Sequence, residues 1–197
     1  LKIVANYAVG YDNIEVAAAT ERGIWVSNTP GILTEATADI AWAGLLAVTR
    51  RVVEGDRLVR AGGFTGWGPS LLLGSELAGK TLGIIGCGAI GRAVARRAVG
   101  FGMRVVVAER PSLATKEARQ IGLGAEAEIM PLEELLARAD IVTLHCPLTP
   151  DTRYLLDAER LDLLRPEAYL INTARGPVVD EAALVARLAD GRLRGAA

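Results

Sequence analysis

Apolar residues recur along this chain in two alternating rhythms. Short, nearly unbroken runs rich in Ile, Val and Leu, over 3–5, 24–27, 82–85, 105–108, 141–144 and 169–171, predict strands. Between them, helical spacing predicts helices. One covers 14–20 and ends at Gly23. A long one covers roughly 34–61, with Ile40, Leu45, Val48, Val52 and Val59 along it and Gly62-Gly63 at its end. Another covers 88–101. Pro131 suits the first turn of a helix reaching 138, and Asp180 caps a last helix that Gly191 closes. Asn28-Thr29-Pro30-Gly31 is a turn, and Gly195-Ala196-Ala197 reads as the opening of another strand. This alternation predicts an α/β fold, a Rossmann-type doubly wound parallel sheet. Gly63, Gly66, Gly68, Pro69 and Gly74 punctuate a loop where a domain transition is expected: residues 1–74, ending in a long interdomain helix, then residues 75–197.

Composition narrows the function classes. A net charge of −1 carries no footprint for nucleic acid or an anionic membrane surface. Asp39 and Arg50 bound the longest apolar candidate, so no run of about eighteen apolar residues is available to span a bilayer. No signal-peptide pattern opens the chain, and a start at Leu1 places the expected N-terminus elsewhere. Cys87 and Cys146 are far apart in sequence and have no second ligand at metal spacing. His145 adjoins Cys146, but neighbouring strand side chains point to opposite faces. Free, mostly buried thiols in a reducing cytoplasm are expected, with no metal.

Gly86-Cys87-Gly88-Ala89-Ile90-Gly91 is a G-x-G-x-x-G between a predicted strand and a predicted helix, the context a dinucleotide pyrophosphate requires. Gly86 permits the tight turn, Gly88 the approach of the phosphates to the backbone, and Gly91 close packing of helix on sheet. The helix N–H groups and dipole then hold the phosphates. Glu109 ends the next strand, placed to accept from the ribose hydroxyls and repel a 2′-phosphate; Arg110 beside it could hold such a phosphate. NAD is the expected cofactor, with NADP open. A second phosphate motif, Gly74-Ser75-Glu76-Leu77-Ala78-Gly79-Lys80-Thr81, matches a P-loop in letters only. A P-loop follows a strand and opens a helix, whereas this stretch precedes a strand. A nucleotide triphosphatase is therefore the poorer alternative, and MgATP binding would discriminate it.

Further motifs lie in order along the chain: Asn6-Tyr7-Ala8-Val9-Gly10-Tyr11-Asp12-Asn13, Ser27-Asn28-Thr29-Pro30-Gly31, Thr34-Glu35-Ala36-Thr37-Ala38-Asp39, His145-Cys146-Pro147-Leu148-Thr149-Pro150 and Asn172-Thr173-Ala174-Arg175-Gly176-Pro177-Val178-Val179-Asp180-Glu181. With the fingerprint, the chain resembles the D-2-hydroxyacid dehydrogenases, especially the glyoxylate and hydroxypyruvate reductases. The resemblance implies reduction of a small 2-keto acid by hydride from NAD(P)H. It also implies a site between a flavodoxin-like substrate domain, of which 1–74 is a part, and a C-terminally incomplete coenzyme domain at 75–197. By the same resemblance, backbone at Val9 and Gly10 meets the substrate carboxylate and Thr37 lies near the nicotinamide. Cys146 and Pro147 line the adenine side, Thr152 joins the cofactor positions, and Thr173 and Ala174 lie beneath the nicotinamide ring. The complete protein is expected to be a homodimer, helped by the helical stretch 42–59.

Arg175 is the candidate catalytic residue, and also a substrate and cofactor contact. It follows an apolar strand, and open α/β sheets bind ligands at the strands' carboxyl ends. A guanidinium forks onto a carboxylate and stabilises charge building on a keto oxygen. The resemblance also calls for a histidine acid oriented by a glutamate, both beyond residue 197. His145 is the one histidine and reads as structural or cofactor-proximal. The 197-residue polypeptide is therefore expected to turn over 2-keto acids poorly. A non-catalytic, corepressor-like dinucleotide-binding module remains the alternative.

Glu109 generates a first prediction: NADH binds this chain more tightly than NADPH. Equal affinities in a fluorescence titration would overturn it.

Overall fold

The computed structural model describes residues 1–110, 120–122 and 125–197, with side chains for 1–110 and 127–197. Two short strands, β1 (Ile3–Ala5) and β2 (Trp25–Ser27), pair in parallel, with helix α1 (Val16–Glu21) between them. Helices α2 (Thr34–Thr49) and α3 (Val52–Arg60) follow. The main body then alternates β3 (Thr81–Ile85), α4 (Ala89–Gly100) and β4 (Arg104–Ala108). After β4 come the backbone of a small antiparallel pair, β5 (Gln120–Gly122) and β6 (Ala125–Glu126), then β7 (Glu128–Met130), α5 (Leu132–Arg138) and β8 (Ile141–Leu144). The chain closes through α6 (Ala158–Asp162), β9 (Tyr169–Asn172), a 3-10 turn at Gly176–Val178, α7 (Glu181–Ala189) and β10 (Gly195–Ala196).

Six strands form one parallel sheet in the order β10-β9-β8-β3-β4-β7. The chain builds outward from β3 through β4 to β7, then returns to β8 on the other side of β3. The switch point, where such sheets bind ligands, therefore lies between β3 and β8. Both faces are covered. One core packs Leu82, Ile84, Val105, Val107, Ile141 and Ile171 beneath α2 and α4. The other packs Val106, Val142, Leu144 and Leu170 beneath α5 and its neighbours. Burial on both sides explains why β3 and β8 are apolar at almost every position rather than alternating. Gly83, a weak residue for a strand interior, has a packing reason: a Cβ there would lie 2.7 Å from Leu135 Cδ2 and 2.9 Å from Ala139 Cβ.

The single helix expected over 34–61 is two helices. Thr49 Oγ1 donates back to Leu45 O at 2.7 Å, and the returning chain seals the helix end when Ser75 N donates to Thr49 O at 2.8 Å. Arg51 then adopts a left-handed conformation, φ 56°, which breaks the helical path. The apolar stripe does not continue across this break: Ile40, Val52 and Val59 are exposed, and Leu45 is buried. The buried face is Ala38, Ala41, Trp42, Leu45 and Thr49, at helical spacing. Its small residues let α2 lie close on the parallel sheet's flank, so the chain joins that core ahead of the loop over 63–74. Gly74 belongs to this seal and not to a phosphate loop, since a Cβ there would lie 2.5 Å from Thr49 O. The elements unforeseen from spacing are β5, β6, β7, α6 and the 3-10 turn, each five residues or fewer. Pro131 sits one residue ahead of its helix, not within it.

Trp42 clamps α2 to α4. It is 4 % exposed, stacks on Phe101 with ring centroids 4.5 Å apart, and donates Nε1 to Val94 O at 3.1 Å. Arg96 and Arg97 add surface ion pairs to Glu35 and Asp39. Trp42→Ala is expected to destabilise the fold by about 3–5 kcal/mol, as removal of a large buried aromatic does. Urea denaturation of the two proteins measures it; a loss below about 1 kcal/mol would show that the clamp is dispensable.

Candidate dinucleotide and anion site

At the carboxyl end of β3 the three fingerprint glycines have separate physical roles. Gly86 has φ 98°, a conformation that disfavours a side chain, and a Cβ there would meet Cys146 N at 2.5 Å. The turn is thus pressed against the segment leaving β8. Gly91 is the packing residue: a Cβ would lie 2.2 Å from Gly86 O. Gly88, the N-cap of α4, has open space where its Cβ would be. The first helical donor is Arg92 N, to Gly88 O at 3.0 Å, which leaves the N–H groups of Ala89, Ile90 and Gly91 outside the helical ladder. This is the geometry a pyrophosphate needs, an open backbone at a helix N-terminus. Cys87 contributes backbone to that turn. Its side chain is 2 % exposed within the core, and burial raises the thiol pKa.

Glu109 and Arg110 are exposed at the end of β4, with Glu109 N tied to Met130 O at 2.8 Å. Arg110 is close enough for its charge to act on both Cys87 and Cys146. At the end of β8, His145 N donates to Ile85 O at 2.7 Å, and its Nε2 pairs with Thr143 Oγ1 at 2.9 Å. Burial lowers the His145 pKa to about 4. Cys146 is half-buried and Pro147 exposed on the loop that follows. Thr152 organises that loop: its hydroxyl accepts from Thr149 N at 2.8 Å and donates to Pro147 O at 2.6 Å. Its hydrogen bonds are therefore used within the loop.

The loop leaving β9 is held from two directions. Asn172 Nδ2 donates to Arg175 O at 2.9 Å, and its Oδ1 accepts from Ala174 N at 3.0 Å. Tyr154 N donates to Pro177 O, Leu156 N to Val178 O and Asp180 N to Leu156 O, stitching the post-β8 segment to the Arg175 loop. The Thr173 hydroxyl is buried and has no hydrogen-bond partner among the described residues. Thr37 is half-buried near the start of α2.

Opposite this loop lies the turn after β1. Asn28 Nδ2 donates to Val9 O at 2.9 Å and Asn6 Nδ2 to Gly10 O at 2.7 Å. Both carbonyls are thereby occupied, and among the described residues the N–H groups of Val9 and Gly10 donate to nothing. Arg175 reaches this turn: a Cβ on Gly10 would lie 1.8 Å from Arg175 Nη2. Nε and Nη2 reach Asp12 Oδ1 at 3.0 and 2.9 Å, and Nη1 donates to Ala174 O at 2.8 Å. The hydrogen bond from Arg175 holds the Asp12 carboxyl below its ordinary pKa.

Arg175 and the Val9–Gly10 turn, distant in sequence, are thus brought together at one corner. Glu109 does not join it. Three strand spacings, roughly 14 Å, separate β9 from β4. That separation suits an elongated dinucleotide lying across the sheet edge. Asn6, Asn28, Asn172 and Asp12 carry roles that their letters alone did not reveal. Their signal was membership of the motifs, but what each holds depends on the fold.

Residues 42–197 match the family model described as D-isomer specific 2-hydroxyacid dehydrogenase, NAD binding domain. The glyoxylate reductase of Pyrococcus furiosus is 52% identical over 200 residues, covering 100% of this chain and 58% of that protein. A crystal structure of a Thermus thermophilus protein superposes with a TM-score of 0.89 at 51% identity, over 100% of this chain and 60% of that one. D-Lactate dehydrogenase from Aquifex aeolicus, complexed with NAD and lactic acid, gives 0.88 at 33% identity, over 100% and 56%. The chain spans somewhat over half the length of the relatives it matches. With the glycine turn at the switch point and this match over most of its length, the chain belongs to the D-isomer specific 2-hydroxyacid dehydrogenase family and carries its NAD-binding fold.

Proposed function

We propose that the protein carrying this chain reduces a small 2-keto acid, of the glyoxylate or hydroxypyruvate kind, to the D-2-hydroxy acid with NAD(P)H. One observation carries this reading: the Arg175 guanidinium lies at a sheet carboxyl end against the Val9–Gly10 turn, whose N–H groups donate to nothing among the described residues. A 2-keto acid presents a carboxylate beside a carbonyl. The turn's N–H groups suit the carboxylate, and Arg175 can reach both the carboxylate and the keto oxygen. A nicotinamide held there would supply the hydride. The fixed guanidinium would stabilise charge growing on the keto oxygen until a proton from a general acid or water completes the hydroxyl. Glu109 favours NADH, with Arg110 leaving NADPH accessible. Thr37, Cys146, Pro147, Thr173 and Ala174 are proposed to line the cofactor, and Thr152 to shape the loop beside it. In this reading residues 1–74 form the substrate-side unit and 75–197 the dinucleotide unit, with α2 as the element they share.

His145 is not the proton donor in this scheme. It sits at the β8 end, bonded to Thr143, and is neutral well below pH 7. We also propose a cytoplasmic homodimer. Exposed Ile40, Val52, Val59, Phe64 and Trp67 on α2, α3 and the following loop support self-association. The free cysteines support a reducing compartment. Among the described residues, no helix is long and apolar enough to cross a membrane.

Arg175→Leu in the intact gene product should lower kcat/KM for glyoxylate by on the order of 10³-fold while weakening NADH binding far less. Wild-type kcat/KM in this variant, or NADH binding with no turnover of any 2-keto acid by the parent, would overturn the reading.

His145 also links stability to pH. Its folded pKa of about 4 lies below the ordinary 6.5, so the unfolded chain binds the proton more tightly. The contribution is full above about pH 6.5 and is lost as pH falls toward 4. Between pH 7.5 and 5, the wild type should lose about 2 kcal/mol more than His145→Gln in urea denaturation. Parallel losses in the two proteins would sink the assignment.

A further inference from the structure

Arg175 has five N–H donors, arranged as a side edge of Nε and Nη2 and an end edge of Nη1 and Nη2. The side edge is taken by a single oxygen, Asp12 Oδ1, at 3.0 Å from Nε and 2.9 Å from Nη2. One Nη1 hydrogen goes to Ala174 O at 2.8 Å. Among the described residues one hydrogen is left on each terminal nitrogen, available to an anionic oxygen.

Asp12 comes from the opposite side of the site, two residues after Gly10. Nη2 lies 1.8 Å from where a Gly10 Cβ would be, so any side chain at position 10 would push the guanidinium off Asp12. The turn is itself anchored by Asn6 and Asn28. The carboxylate that orients Arg175 is thus fixed in the frame of the substrate-side turn, not in the frame of the Arg175 loop.

We propose that Asp12 is a positioning residue: it clamps the side edge of Arg175 across the site and presents the end edge to the anionic substrate. The clamp has a second consequence. The Asp12 carboxylate opposes the charge that attracts a substrate anion, so this site exchanges some substrate affinity for a fixed guanidinium. Its pKa, held low by Arg175, keeps Asp12 charged at neutral pH. This inference rests on the keto-acid reading above.

Two variants of the intact gene product separate the parts of the role. Asp12→Asn keeps an acceptor oxygen and removes the charge; Asp12→Ala removes both. In Asp12→Asn, kcat for glyoxylate should stay within about threefold of wild type while KM falls severalfold, since charge repulsion is lost. In Asp12→Ala, kcat/KM should fall roughly ten- to a hundredfold, the range for losing a hydrogen bond to a charged group. NADH Kd should be unchanged in both. Wild-type kcat/KM in Asp12→Ala would overturn the proposal. So would equal impairment of the two variants with matching losses of Tm, which indicates a merely structural role. Calorimetric titration of oxalate into the NADH complex distinguishes failure of the underlying function. Tighter oxalate binding in Asp12→Asn, in a protein that turns over no keto acid, would reject the reaction and retain the clamp. Unchanged oxalate affinity in both variants would reject the clamp.

Discussion

A parallel sheet covered on both faces confines ligand chemistry to the loops at its strand ends. Here that constraint is set by one contact, the approach of α4 to β3 at Gly91, where a single Cβ would collide with Gly86 O. The contact places a helix N-terminus at the point where strand order reverses. The geometry of the glycine turn follows from that placement. Gly88 stays open, the first N–H groups of α4 stay outside the ladder, and the segment leaving β8 closes on Gly86 from the other side.

The same edge carries the second half of the site, three strands away from Glu109. Arg175 is not held by its own strand alone. Asn172 shapes the turn that displays it, the segment 154–156 stitches that turn to the neighbouring loop, and Asp12 meets the guanidinium from the opposite side. An exposed ion pair is worth little to stability on its own. Its value here is geometric, because it couples the orientation of a charge on the dinucleotide side to the position of the Val9–Gly10 turn. The network ties two distant parts of the chain together at the surface rather than contributing to a core.

Periodicity located the long elements well, because each is buried on a constant face and its apolar residues repeat accordingly. It failed where a different force decided. The break at Arg50–Arg51 arises from the returning segment at Gly74–Ser75 capping the end of α2, a contact between residues twenty-odd positions apart. Spacing across 34–61 is silent about such a contact, and the apparent stripe through Val52 and Val59 was coincidental. Elements as short as β7 and α6 have too few residues to display a period. The two glycine motifs, 74–81 and 86–91, look alike in letters; what separates them is which side of β3 each occupies.

By itself the sequence determined the α/β class, the strand–glycine–helix order of the dinucleotide turn and the family, since these depend on local pattern and on motifs in a set order. It also singled out Arg175 as the candidate catalytic residue. Only the tertiary structure decided what Arg175 faces. The approach of Arg175 to the Val9–Gly10 turn, the clamp by Asp12 and the attachment of α2 to the sheet all join residues far apart along the chain. Local propensity carries no information on such pairings, because they exist only once the strands are ordered in the sheet and the loops at its edge are brought together.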